Sequence, residues 1–140
     1  MTLVLDASAV VDILLQTDQG LQLDYGLAQR ADEDMLTVAH LDAEVLSALA
    51  RGHRAGELEV KDVTTALQDL GDMVLTRVPI GTGLLEAAWR LRHNVYAKDA
   101  LYVALAQSLG AELVTTDERL ARAVPHLVAR LDSPNGSTDE

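Results

Sequence analysis

Short apolar runs alternate along this chain with amphipathic stretches of helical period. Thr2–Leu5 reads as a buried strand, and Ala9–Leu15 as a helix that is apolar around nearly its whole circumference. Leu21–Arg30 is a second helical stretch, Met35–Ala39 a short strand, and Leu41–Arg54 a helix stopped near Gly56. Val60–Leu70 continues as helix and Met73–Val78 as strand, with Pro79 and Gly81 marking a turn. Gly83–Arg92 is a helix, Asn94–Lys98 a loop, and Asp99–Leu109 a strongly apolar helix stopped by Gly110. Glu112–Thr115 is a strand, Glu118–Ala123 a short helix, and Leu127–Leu131 a last strand. Strands that alternate with helices imply βαβ units, hence an α/β fold with a mainly parallel sheet covered on both faces.

The pattern breaks only at Ser133–Glu140, which is too polar to pack and is expected to be a disordered tail. Residues 1–132 then form one domain, the usual size for a single core. There is no internal repeat. Phe is absent, so the core must be built from Leu, Val, Ala and Ile. Cysteine is absent too, which excludes disulfides, thiolate nucleophiles, zinc–thiolate sites and iron–sulfur clusters. The N-terminal run has no basic flank and is interrupted by Asp6 and Asp12, unlike a signal peptide. No stretch is long enough to span a membrane, so a soluble cytoplasmic protein is expected. The net charge of −11 opposes broad affinity for nucleic acid, which depends on neutralising phosphates. Any RNA contact has to use local basic residues.

Candidate chemistry lies in separated carboxylates. Asp6 follows the first strand and Asp117 follows Leu113-Val-Thr-Thr. Acids leaving parallel strands at their carboxyl ends can meet in space, although Asp before a helix is also an ordinary N-cap. Asp99 opens an apolar helix, where a partly desolvated carboxylate needs a positive partner such as Lys98 or a metal. Glu44 lies at the edge of the stripe Leu41, Val45, Ala48 and Leu49; the helical wheel does not prefer it to Asp42, and an i, i+4 pair with His40 is the plain structural alternative. The set Asp6, Glu44, Asp99 and Asp117 is all oxygen, which suits Mg²⁺ or Mn²⁺ rather than zinc. Such ions hold phosphates, acidify water and steady leaving oxygens. The scattered histidines form no His-Glu-x-x-His motif, Ser8 has no evident relay, and no phosphate-binding glycine loop is present.

Val4-Leu-Asp-Ala-Ser-Ala-Val-Val-Asp-Ile-Leu resembles the opening of a PIN domain. Leu41-Asp-Ala-Glu-Val-Leu-Ser-Ala-Leu-Ala-Arg resembles the second block of that family and selects Glu44 over Asp42. Tyr96-Ala-Lys-Asp-Ala-Leu-Tyr-Val-Ala-Leu-Ala-Gln and Leu113-Val-Thr-Thr-Asp-Glu-Arg-Leu resemble the third and fourth, in order and over nearly the whole chain. The size resembles the VapC group, the toxin half of type II toxin–antitoxin pairs. The resemblance implies an α/β/α sandwich, a homodimer, Mg²⁺-dependent endoribonuclease activity and inhibition by a small cognate antitoxin. It implies that Asp6, Glu44, Asp99 and Asp117 bind metal, with Ser8 and Thr115 as supporting hydroxyls behind them.

Seven of the eleven basic residues, Arg51, Arg54, Arg90, Arg92, Lys98, Arg119 and Arg122, lie within ten positions of Glu44, Asp99 or Asp117. Solvated helix faces account for most; Lys98 and Arg119 are the candidates for phosphate contact. Trp89, beside Leu85, Ala88 and Arg92 on a helix, reads as a packing residue, with base stacking as the alternative. The apolar Ala9–Leu15 suits either the core or an interface with a second copy or an antitoxin. Two other functions compete. A receiver domain needs an acceptor Asp after a middle strand, but Met73–Val78 runs into Pro79-Ile80-Gly81. A PIN-like module that binds RNA or protein without cutting is opposed by the complete set of acids.

Overall fold

The computed structural model describes residues 1–134. In chain order the elements are β1 (Thr2–Leu5), α1 (Ala7–Leu15), α2 (Asp18–Ala28), β2 (Asp34–Val38), α3 (Leu41–Arg54) and α4 (Val60–Asp72). They continue with β3 (Thr76–Val78), α5 (Thr82–Arg90), α6 (Ala97–Leu109), β4 (Glu112–Val114) and α7 (Glu118–Ala123). The strands form one parallel sheet in the order β3-β2-β1-β4. β1 is central, and Leu3, Val4 and Leu5 are wholly buried, which is why it reads as a continuous apolar run. The buried face of β2 contributes Thr37, whose hydroxyl donates to the Leu5 carbonyl at 2.8 Å and so carries no unpaired polar group into the core.

Helix α6 packs on β1, β2 and β4, and α5 packs on α6. Seven consecutive or near-consecutive residues of α6, Asp99, Ala100 and Tyr102 to Ala106, are buried, so its lack of an amphipathic face follows from its central place. Helix α1 is enclosed by α2, α3 and α4, and no residue along it is exposed. Its apolar circumference is therefore largely covered within the chain. The α/β/α arrangement is the one expected.

Several boundaries differ from expectation. Helix α2 begins at Asp18 rather than Leu21, because Thr17 caps it by accepting from the Gly20 N–H at 3.1 Å. Helix α4 runs on through Asp72, started by a capping box of Glu59 and Asp62, and β3 shrinks to Thr76–Val78. Helix α6 begins at Ala97 with Tyr96 as its N-cap, so Asp99 lies inside the first turn and is not a cap. The last strand reduces to one parallel bridge, Leu113 to Val128, fixed by Leu113 N–H to Leu127 O and Ala129 N–H to Leu113 O, both 2.8 Å. Ser133, expected in a disordered tail, is partly buried; the tail from residue 135 lies outside the described residues.

The start of α2 crosses the end of α1 so closely that a Cβ on Gly20 would sit 1.9 Å from the Asp12 carbonyl oxygen. The obstacle is backbone and cannot rotate away. Gly20→Ala is expected to destabilise the fold by about 3 kcal/mol or more, at the upper end of overpacking costs. Urea unfolding of the two proteins measures it, and an unchanged midpoint would contradict this packing.

Candidate functional site

The carboxyl ends of β1 and β4, the first turns of α3 and α6 and the start of α7 converge on one cleft. It has a volume of about 290 Å³ and is lined by Asp6, Asp12, Glu44, Asp99 and Asp117, with Ser8, Arg51, Lys98 and Tyr102 among its other walls. All four acids singled out in the sequence face it, although they lie up to 111 positions apart, from 6 to 117. This is the expected site for open parallel sheets, beyond the strand carboxyl ends.

Asp6 is the most constrained acid. Its backbone N–H continues the sheet to Val114 O at 3.1 Å, and its carboxylate caps α1 by accepting from Ala9 N–H at 2.9 Å. Ser8 donates to the same oxygen at 2.7 Å and Thr115 to the other at 2.5 Å. Ser8 is itself held by the Thr116 N–H at 3.1 Å, and Thr115 accepts from the Asp117 N–H at 3.1 Å. The expected hydroxyls therefore both sit on Asp6. Burial pushes the Asp6 carboxyl up to about 6; the hydrogen bonds from Thr115, Ala9 and Ser8 oppose this, and the charge of Asp99 adds to it.

Asp99 is buried on α6, and burial raises its carboxyl above the ordinary range. Lys98 and Arg119 act against that shift, while Asp117 and Glu44 reinforce it. Asp117 caps α7 by accepting from the N–H groups of Arg119 and Leu120 at 3.0 and 3.1 Å. For Asp6 and Asp117, cap and cleft wall are the same carboxylate.

Glu44 accepts from the Tyr102 hydroxyl at 2.7 Å. Burial and the Glu44 charge raise the phenol, keeping that proton on Tyr102. His40 Nε2 also lies 2.6 Å from Glu44 Oε1, yet neither ring nitrogen makes a well-directed hydrogen bond. The directed Tyr102 bond is the firmer tie, and the imidazole is placed mainly by its stacking on Tyr102 at 4.8 Å. The i, i+4 neighbour and the cleft acid are thus compatible roles. Asp42 is drawn away instead: Arg77 on β3 grips it at 2.7 and 2.8 Å, holding its carboxyl below the usual range.

Three cleft residues escaped the sequence reading of the site. Asp12 receives Thr116 Oγ1 at 2.5 Å and Thr17 Oγ1 at 2.9 Å, tying the end of β4 to α1. It lies one turn beyond Ser8, Tyr102 one turn beyond Asp99, and Arg51 two turns beyond Glu44. That helical spacing from an identified residue was the available signal. Of the phosphate candidates, Lys98 lines the cleft, whereas Arg119 stands at its rim, 3.9 Å from Asp117 and over the Tyr96 ring. Trp89 does not pack: it is 67% exposed, with Arg92 over its ring.

The cleft fits a hard divalent cation by chemistry. Its donors are carboxylate and hydroxyl oxygens, and at least two acids are forced toward protonation by burial and by each other. Among the described residues, no three His, Asp or Glu side chains are spaced to hold an ion as they stand. Asp6, Glu44, Asp99 and Asp117 are the cleft acids that could contribute to holding one.

Among the described residues no helix is long and apolar enough to cross a membrane. The PIN domain family model matches residues 3–124. Ribonuclease VapC3 of Mycobacterium tuberculosis is 48% identical over 122 residues, 87% of each chain. Ribonuclease VapC1 of the same organism is 41% identical over 121 residues, 86% of this chain and 89% of that one. The solved VapBC2 from Rickettsia felis, bound to a DNA fragment from their promoter, superposes with a TM-score of 0.68 at 16% identity, covering 94% of this chain and 100% of that one. Mycobacterium tuberculosis VapC20, a Sarcin-Ricin loop cleaving toxin, gives 0.62 at 17%, covering 93% and 99%. At those identities the two structures speak for the fold, while the model match and the sequence relatives carry the family: the chain belongs to the PIN domain family, among the VapC ribonucleases.

Proposed function

We propose that this chain is a divalent-metal-dependent endoribonuclease and the toxin component of a type II toxin–antitoxin pair. The observation that carries the reading is the convergence of Asp6, Glu44, Asp99 and Asp117 on one cleft, in a chain 48% identical to a named ribonuclease. Mg²⁺, or Mn²⁺ in its place, is the proposed ion, held by those four acids. When bound, it supplies positive charge against the phosphate and acidifies water. Ser8 and Thr115 fix the Asp6 carboxylate, Tyr102 fixes that of Glu44, and Lys98 and Arg119 receive the RNA phosphates.

No histidine lines the cleft among the described residues; His40 lies behind it against Glu44 and Tyr102. Hydrolysis by water is the expected route, leaving 5′-phosphate and 3′-hydroxyl ends. The test is RNA incubated with the purified protein in Mg²⁺, in Mn²⁺ and in EDTA, followed by sequencing of product ends. Cyclic 2′,3′-phosphates, or full cleavage in EDTA, would refute the mechanism.

The regulatory partner fits the same electrostatics. Five acids against Arg51 and Lys98 leave the cleft strongly negative, a receptor for a basic segment of a small antitoxin. A homodimer is part of the proposal. Its support is the kinship with VapC proteins. Co-purification from the native host, with mass determination of the complex, checks both; a monomer without a small partner contradicts them.

A further inference from the structure

The turn joining α5 to α6 reverses the character of the chain. Residues 87–98 contain Arg90, Arg92 and Lys98 and no Asp or Glu, in a protein of net charge −11. Trp89 and Tyr96 stand in the same segment, 67% and 61% exposed. Leaving rings of that size in water forfeits a large burial gain, so their exposure calls for a use. Each ring carries a guanidinium on one face: Arg92 lies 4.7 Å from the Trp89 centroid and Arg119 4.1 Å from that of Tyr96. Arg92 is also tied to the Trp89 carbonyl at 3.1 Å. The base is rigid. Asn94 and Val95 N–H both bond to the Leu91 carbonyl at 2.9 Å, and the Val95 side chain is buried.

We propose that this turn is a platform for single-stranded RNA, on which Trp89 and Tyr96 stack bases while Arg92, Arg119 and Lys98 hold the intervening phosphates and lead the strand into the acid cleft. The choice of RNA as ligand rests on the nuclease reading above. Aromatic faces bordered by fixed cations are the general means of holding unpaired nucleic acid without reading its sequence. The path is continuous with the chemistry: Arg119 stands 3.9 Å from Asp117, and Lys98 lines the cleft beside Asp99. It also resolves how so acidic a protein meets a polyanion, since the positive charge is concentrated where the strand enters.

Trp89 is the only tryptophan, so its fluorescence reports on the platform directly. The full chain carrying Asp99→Asn, which is not expected to cut, is titrated with a short unstructured single-stranded RNA bearing its own label. Quenching of Trp89 in step with the label is expected. Tyr96→Ala is expected to weaken binding roughly ten-fold, within the range for losing one stacked base. Arg92→Ala and Arg119→Ala should each reduce the slope of log affinity against log salt by about 0.7, as for one lost phosphate contact on a single strand. Lys61→Ala, on α4, should leave both quantities unchanged.

RNA that saturates the label without touching Trp89 emission overturns the platform. So does a concentration-dependent Trp89 shift without RNA, which would place a second copy on the ring. Cleavage by the wild type with an unresponsive Trp89 overturns the platform and leaves the nuclease reading standing. Quenching by RNA with no cleavage in Mg²⁺ or Mn²⁺ supports the platform and overturns the nuclease reading.

Discussion

Asp99→Asn is expected to abolish RNA cleavage while leaving the metal-free protein at least as stable as the wild type. Asp99 is buried in the first turn of α6 but does not cap it, so the amide replaces no helix-starting bond. Burial, Asp117 and Glu44 all press its carboxyl toward protonation, and removing the charge relieves that conflict. A gain of about 1 kcal/mol without metal is expected, typical of relieving a strained functional site. Cleavage should fall by more than about 100-fold, the upper end of what even an outer partner of a metal ligand costs. Mg²⁺ stabilises only the state that binds it, by roughly 2.7 kcal/mol at a hundred times its dissociation constant, and the variant should lose most of that. Thermal unfolding in EDTA and in Mg²⁺, with Asp69→Asn as an exposed control, decides the matter. A variant that still cuts RNA and keeps the full Mg²⁺ shift would remove Asp99 from the site.

Metal-free stability should also fall as pH rises from about 4 to about 6, through Asp6. Its carboxyl is pushed up to about 6 in the fold against an ordinary 3.8. Below 3.8 it is protonated in both states and its contribution is fully present. Between the two values the folded protein keeps a proton that the unfolded chain has released, so stability is lost as pH climbs through the folded pKa. Complete ionisation costs about 3 kcal/mol. Paired acids such as Asp42, whose carboxyl is held low by Arg77, shift stability the other way at lower pH. The measurement is therefore the pH dependence of the difference between wild type and Asp6→Asn in EDTA; the amide oxygen still accepts from Ala9 and Ser8, and losing the Thr115 bond adds only an offset independent of pH. Parallel pH profiles for the two proteins would show that Asp6 is not the group responsible.

Much of this was legible because period and position carry physical meaning. Continuous apolar runs marked β1 and β4 as buried parallel strands, and acids just beyond them had one place to go. Helical period alone left Glu44 and Asp42 equal; the family motif separated them, and Arg77, thirty-five positions from Asp42, supplies the physical reason. Trp89 was misread because α5 carries two adjacent apolar stripes. Leu84, Ala87, Ala88 and Leu91 take the core, while Leu85 and Trp89 remain outside. The wheel shows both stripes but not which one the sheet claims. Asp99 read as the first residue of its helix because α6 begins at Ala97 without a side-chain cap to mark the start. Met73 to Leu75 read as strand because propensity cannot see that α4 continues through Asp72.

The hydroxyl clasp between Thr115 and Asp6, and between Thr116 and Asp12, joins residues more than a hundred positions apart. The central strand β1 is made more than a hundred residues before β4, one of its two neighbours in the sheet. The cleft is therefore incomplete until both strands are present. A nascent chain halted before residue 115 carries Asp6 without its clasp and lacks Asp117 altogether, so the cleft is walled only once this whole span has been made.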